Sequence, residues 1–269
     1  QISTSNNKNP LLEWLKQSYG ESPTNALRAE NFQTLSPKEQ MAQLKALLVW
    51  FRKEFPYYRD TCDHCHAKGC RFQGNDKPTV EEQSFSPWID TTERSVCTKC
   101  QQITRFPRYL AALEIVRRKR GRCSEYSILL YRILRALGLQ ARWIVDWANH
   151  VWAEVWIDER WVHMDPCEAA IDTPLLYQGW GKNQTYIVAF EAPSRAADGG
   201  GYSKPPTVVD VTKDYTSDSW ETIHKRRHDV GATKEDISAS MKWANADLAN
   251  FSLEELVSKL KGHRNENYC

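Results

Sequence analysis

The sequence has no run of roughly 18 apolar residues, the length a membrane-crossing helix needs, so no part of the 269-residue chain is expected to span a bilayer. A charge imbalance is also missing. Lys and Arg number 36 against 34 Asp and Glu, a net charge of +2, which leaves no global electrostatic case for nucleic acid as a partner. Two basic clusters, residues 117–122 and 224–228, read as solvated faces. No internal repeat occurs. The chain opens on Gln1 and a polar, Asn-rich segment without the charged and apolar regions of a secretory leader, so its start reads as that of a processed or shortened chain. What remains is an ordinary globular composition, 41% hydrophobic and 26% charged, with enough length to bury a sizeable core.

Eight cysteines are present. Four form two C-x-x-C pairs, Cys62 with Cys65 and Cys97 with Cys100; the others are Cys70, Cys123, Cys167 and Cys269. In a chain this long, metal binding plus free thiols is a better reading than a disulfide framework, and it favours a reducing compartment. Four thiolates in two such pairs suit one tetrahedral zinc ion of structural role, since four protein ligands leave no position open for a substrate. Two disulfides, or substitution of a ligand by His64 or His66, are the rival readings. The 31 residues between the pairs (66–96) read as a polar, irregular loop clipped at its base.

Hydrophobic spacing supplies the frame. Leu11, Leu12, Leu15 and Tyr19 predict a short amphipathic helix outside the main body. Pro37 opens a stronger helix with Met41, Leu44, Leu47, Leu48 and Phe51 on one face, and Pro56 ends it. Residues 107–120 read as helical. After Cys123, Ile128, Leu129, Ile133, Leu134 and Leu137 form a wide apolar stripe closed by Gly138. The period then changes to two: residues 141–146, 150–157 and 160–165 read as strands, followed by 186–190 and 207–211. A Gly-rich loop is expected at 199–201. Near the end, Ser252 and Glu255 form a capping box ahead of a terminal amphipathic helix.

Three residues in this frame carry possible chemistry. Cys123 falls at a predicted helix start, where unpaired backbone N–H groups stabilise a thiolate, and Arg122 adds positive charge. His150 shares one strand face with Trp152, Glu154 and Trp156, a polar and aromatic wall opposite the apolar face of Val151, Ala153, Val155 and Ile157. If Asp158-Glu159 forms a two-residue turn, Ile157 faces Arg160, Trp152 faces Asp165, and His150 is the diagonal neighbour of Asp165. A loop of odd length would turn Asp165 to the other side. Thiol, imidazole and carboxylate then form a Cys-His-Asp triad able to attack a carbonyl carbon, with backbone N–H groups near Cys123 to hold the oxyanion. Trp152 is the expected aromatic at a sugar or substrate rim.

The order of motifs resembles a known family. The C-x-x-C pairs are followed by Arg105-Phe106-Pro107-Arg108-Tyr109, then Gly121-Arg122-Cys123. Next come His150-Val151-Trp152-Ala153-Glu154-Val155 and Trp161-Val162-His163-Met164-Asp165-Pro166-Cys167-Glu168. Gly179-Trp180-Gly181-Lys182 and Val209-Asp210-Val211-Thr212 complete the series. This is similar to the transglutaminase-like core of cytosolic peptide:N-glycanases, over residues 40 to 230 or so.

The resemblance implies an α+β fold of the papain-like cysteine hydrolase type: an antiparallel sheet, a zinc insert at residues 60–102 within a core at 37–230, and helical extensions at 1–36 and 231–269. It also implies an amidase that cleaves N-linked glycans from asparagine on misfolded glycoproteins, leaving aspartate, in the cytoplasm with a nuclear pool. In it Cys123 is the nucleophile, His150 the base and acid, and Asp165 the orienting carboxylate. Trp152 and Glu168 lie beside the sugar cleft, and Cys62, Cys65, Cys97 and Cys100 hold structural zinc. A proteasome shuttle protein is a further expected partner, through a terminal helix. Where that family has Gly-Glu-Trp after the cysteine, this chain has Ser124-Glu125-Tyr126, and Pro56-Tyr57-Tyr58 stands where a tryptophan is usual. A weakly active glycoprotein-binding scaffold and a transglutaminase-type acyl transferase are the alternatives.

Overall fold

The computed structural model describes residues 9–86, 89–191, 194–195, 202–204 and 207–229. The Gly-rich segment at 199–201 and the predicted terminal helix with Ser252 and Glu255 lie outside the described residues.

Four helices come first: α1 (Pro10–Ser18), α2 (Glu21–Leu27), α3 (Ala29–Phe32) and α4 (Pro37–Glu54). Asn9 caps α1 by accepting from Leu11 N at 3.0 Å, and Pro10 sits at the first turn, where no backbone donor is needed. Ser36 and Glu39 close a reciprocal capping box on α4, with Pro37 again in the first turn. The helix expected outside the body is inside it. Leu11, Leu12 and Leu15 are buried in the same apolar cluster as Leu44, Leu48 and Phe51, because a second face of α7 needs covering.

The segment between the C-x-x-C pairs is not irregular. Strands β1 (Cys70–Asp76), β2 (Thr92–Cys97) and β3 (Ile103–Pro107) form an antiparallel sheet in that order, with the short helix α5 (Val80–Phe85) in the β1–β2 connection. Alternating polar residues on its exposed side hid this sheet: β1 buries only Cys70 fully.

Helix α6 (Ala112–Arg118) starts five residues later than predicted, and α7 (Cys123–Ala136) follows. Its stripe packs on strands β4 (Ala141–Asp146) and β5 (His150–Ile157), burying Leu129, Leu130, Ile133 and Leu134 against Trp143, Val151 and Val155. Burial of each such side chain is worth about 1.5–3 kcal/mol. Gly138, at φ +85°, lets Leu139 N reach back to Leu134 O at 3.0 Å and ends the helix as expected.

The main sheet is antiparallel throughout, in the order β11 (Thr207–Asp210), β8 (Ile187–Glu191), β4, β5, β6 (Arg160–Asp165), β7 (Ala170–Ile171). A two-stranded ribbon, β9 (Ser194–Arg195) with β10 (Tyr202–Lys204), lies between β8 and β11 in the chain. Helices cover one sheet face. Over the other lie α8 (Leu176–Gly179) and a 3-10 turn at Thr212–Tyr215, whose Tyr177 and Tyr215 join Ile144, Trp152 and Ile187 in a second apolar cluster. Helix α9 (Trp220–Asp229) ends the described part; Arg227 joins it to the sheet through Asp210 at 2.8 Å.

Candidate active site

Two tight turns place the histidine and the aspartate. Asp158 and Glu159 both have positive φ, 49° and 59°, so β5 and β6 join through a two-residue turn and Ile157 pairs with Arg160. That is the register predicted from sequence, and it sends His150 and Asp165 to the same face. On the other side of β5, Asn149 takes φ 67° to close a three-residue connection, and Asp146 pairs with His150. His150 Nε2 meets Asp165 Oδ2 at 2.7 Å.

Cys123 is the first residue of α7, and Arg122 is the extended residue before it. Its thiol lies near enough to His150 for each group to shift the other's pKa. With Nε2 committed to Asp165, Nδ1 is the imidazole nitrogen that serves the sulfur. The three residues singled out from sequence therefore meet as a relay, Cys123 to His150 to Asp165.

The electrostatics favour a preformed ion pair. Burial opposes charge on His150, but hydrogen bonds to Asp165 and Cys123 outweigh it and bring the pKa to about 9. Burial likewise opposes the Cys123 thiolate, yet the His150 hydrogen bond, the imidazolium charge and Arg108 hold the thiol below its ordinary value. Burial acts against Asp165 too, and its bonds from His150 and Tyr177 keep it ionised. Both shifts run toward a thiolate–imidazolium pair, the state that attacks a carbonyl and then protonates the departing nitrogen.

The start of α7 is fixed by buried charge. Glu125 accepts Arg122 N–H at 2.9 Å and receives Arg108 through Nε at 2.6 Å and Nη2 at 3.3 Å. Arg108 also reaches Glu93 at 2.6 Å. Ser124 lies in helical backbone without positive φ, so a glycine is not required there. Tyr126 is buried, and its hydroxyl donates to Pro56 O at 2.8 Å. Tyr57, unassigned from sequence, packs against the same core cluster as Cys123; burial and the nearby charge of Cys123 hold its phenol protonated.

One sequence expectation fails. Trp152 is 0% exposed and stacks on Tyr177, ring centres 4.3 Å apart, so it supports the site from below and offers no face to a ligand. The strand face taken for an open polar and aromatic wall is roofed by Tyr177 and Tyr215, and Glu154 is buried within it, bonded to Arg142 and Tyr215. The rim aromatic is instead Trp180, 47% exposed with its ring 5.5 Å from His150. Its motif was visible in the sequence, but only the fold carries the α8 turn over the histidine. Glu168 is exposed at the turn that holds Asp165, to which its backbone N–H donates at 3.2 Å.

The four paired cysteines converge away from the triad. Their sulfurs all lie within 4.8 Å of one another, with Cys62–Cys100 and Cys65–Cys97 each at 3.5 Å, close enough to share a metal ion. The two turns are alike. His64 and Cys65 N–H donate to Cys62 Sγ at 3.4 and 3.5 Å, and Lys99 and Cys100 N–H donate to Cys97 Sγ at the same distances. His66 and Gln101, one residue past each pair, both adopt positive φ. Such N–H···S bonds stabilise thiolate ligands, and the donor set fits a soft or borderline cation. His64 faces Ile103 O at 3.2 Å instead of the cluster.

Comparison with known proteins places this geometry. A profile described as "Transglutaminase-like superfamily" matches residues 71–166, which contain all three relay residues. Residues 71–166 are thus a transglutaminase-like domain. Among curated relatives, a "Peptide-N(4)-(N-acetyl-beta-glucosaminyl)asparagine amidase" of Arabidopsis thaliana is 33% identical over 86% of this chain and 30% of its own length. Proteins of the same name match from Gallus gallus, 32% identical over 80% of this chain and 32% of theirs, and Caenorhabditis elegans, 36% over 72% and 30%. The chain spans about a third of the length of these relatives. Among solved structures, the "Crystal structure of Rad4-Rad23 crosslinked to an undamaged DNA" superposes with a TM-score of 0.50 at 15% identity, covering 95% of this chain and 54% of that one. At that identity the likeness concerns the transglutaminase-like fold alone.

Proposed function

We propose that the chain is the catalytic core of a peptide:N-glycanase, which hydrolyses the amide bond joining an N-linked glycan to asparagine. The observation that carries this reading is the relay itself: a helix-start thiol beside an imidazole that a buried carboxylate holds at 2.7 Å. The Cys123 thiolate adds to the side-chain carbonyl carbon of the glycosylated asparagine. His150 gives its proton to the departing nitrogen, so a glycosylamine leaves and a thioester remains. Neutral His150 then takes a proton from water, the hydroxide displaces sulfur, and the asparagine has become aspartate. Trp180 and Glu168 are the exposed side chains placed to meet the sugar; Trp152 steadies His150 from beneath.

The Cys62, Cys65, Cys97 and Cys100 cluster suits one zinc ion, which would supply structural cross-linking of the insert and no chemistry at the bond cleaved. Misfolded N-glycosylated proteins are the substrate class, and cytoplasmic quality control coupled to ER-associated degradation, with a nuclear pool, is the setting this reading implies. A proteasome shuttle partner was expected through the terminal helix, which lies outside the described residues. An inactive scaffold is not favoured, since its thiol would need no imidazole partner. An acyl transferase to amines would need an amine acceptor in place of water. The test is glycan release from a denatured N-glycoprotein. Wild-type chain should release it, and Cys123→Ala should lose at least about a thousandfold with unchanged folding. Undiminished release by Cys123→Ala would refute the mechanism.

A further inference from the structure

The Asp165 carboxylate is buried and fully engaged. Oδ1 accepts the backbone N–H groups of Cys167 at 2.8 Å and Glu168 at 3.2 Å. Oδ2 accepts from His150 Nε2 at 2.7 Å and from the Tyr177 hydroxyl at 2.9 Å. The backbone donors belong to the turn that follows the aspartate. The hydroxyl comes from another element, α8, and shares the very oxygen that holds the imidazole.

Tyr177 is itself held. It is fully buried, with its ring 4.8 Å from that of His150, and its oxygen lies 2.6 Å from His163 Nε2. An ionised carboxylate only accepts, so the phenol proton points to Asp165 and His163 must donate through Nε2–H. Burial keeps His163 neutral, with its pKa brought down to about 4. Its Nδ1 is then a buried acceptor with no partner among the described residues. Such an orphan acceptor is costly and asks for an explanation beyond packing.

We propose that Tyr177, held by His163, is a positioning residue of the triad: its hydroxyl fixes the Asp165 carboxylate and takes up part of its charge, and so sets how tightly the His150–Cys123 pair keeps its proton. This rests on the reading of these three residues as the catalytic relay. Other groups face the relay and its supports: Asp146 on β4 and Cys167 after β6, Arg108, Glu125 and Tyr57 around Cys123, and Tyr215 on the 3-10 turn and Asp172 after β7 around Tyr177 and His163. Lys182 lies 3.8 Å from Asp146. None of these changes when only the Tyr177 hydroxyl is removed. Without it, the carboxylate charge falls more fully on His150, and the imidazolium becomes harder to deprotonate.

The experiment is the pH profile of Cys123 alkylation by iodoacetamide in the full chain, for wild type, Tyr177→Phe and His163→Leu. The rate has a lower inflection on formation of the thiolate–imidazolium pair and an upper one, near 9 in wild type, on loss of the imidazolium proton. Tyr177→Phe keeps the ring and its stacking on Trp152, and should raise the upper inflection by about half a pH unit or more. His163→Leu should move it the same way by less, and decides the matter if Tyr177→Phe does not fold. An upper inflection unmoved in Tyr177→Phe, even with slower alkylation, would overturn the proposal, because a purely structural tyrosine would change rate or stability alone. A wild-type chain that shows both inflections and the shift but releases no glycan would refute the glycanase reading and leave this inference standing.

Discussion

Replacing Arg108 by Met should cost the protein more than any surface arginine. The guanidinium is buried between two buried carboxylates: side-chain exposure is 13% for Arg108, 7% for Glu93 and 1% for Glu125. Burial works against its charge, and Glu125 followed by Glu93 more than offsets this, so the group stays protonated. Methionine fills most of the volume but removes the guanidinium from buried Glu125, while Glu93 keeps Arg122 at 2.9 Å. Breaking a buried pair this way costs about 3–5 kcal/mol, against about 0–1 kcal/mol for an exposed pair. In a domain of this size each kcal/mol moves Tm by about 2–4 °C, so a fall of about 6–20 °C is expected in a thermal melt. Adding Glu125→Gln should return a good part of the loss, since the amide still accepts Arg122 N–H at the helix start and no longer brings a buried charge. Arg108 also lowers the Cys123 thiol, so the lower inflection of the alkylation profile should rise in Arg108→Met. A Tm shift under about 2 °C would refute the reasoning, as would a double variant as unstable as the two single losses summed.

Gly121→Ala should destabilise by about 1–3 kcal/mol in chemical denaturation, because a Cβ there meets Tyr126 Cε1 at 2.6 Å and Glu125 Cβ at 2.7 Å, both on side chains already fixed; a neutral substitution would show that the helix start yields. Metal analysis of the purified chain should find one zinc, and chelation should lower Tm and slow alkylation of Cys123 together; chelation that lowers Tm with alkylation unchanged would separate the insert from the site.

What the sequence made legible follows from range. The relay could be found because its geometry is local: a two-residue turn and a period of two fix His150 against Asp165, and a helix start fixes Cys123. The cysteine cluster was legible for the same reason, as each C-x-x-C pair closes its own turn. Trp152 was misjudged because strand parity tells which face a side chain takes, not what covers that face. The cover, Tyr177 and Tyr215, comes from segments 25 and 63 residues further along (177 − 152 and 215 − 152) that carry little pattern of their own. The three-stranded insert was missed because its sheet is half exposed and its apolar content is thin.

The insert is tied directly to the residues that lead into Cys123. Asp60 and Asp63 flank or adjoin Cys62, and Arg120 and Arg122 flank Gly121. Arg122 pairs with Asp60 at 2.8 Å and with Glu93 on β2 at 2.9 Å, and Arg120 pairs with Asp63 at 2.8 Å. Arg120 lies 4.1 Å over the Tyr58 ring and 5.1 Å over Phe106, so its charge is held by aromatic faces as well. Tyr58 N–H closes the connection on Gly121 O at 2.9 Å. The same few residues therefore bear both the first cysteine of the cluster and the backbone that leads into Cys123. A cluster that stiffens its own turn also stiffens the start of α7, and the thiol reaches His150 only if that start is held to within a fraction of an ångström. On this account the cysteines would act on the chemistry proposed at Cys123 without touching it, through three ion pairs and one backbone hydrogen bond.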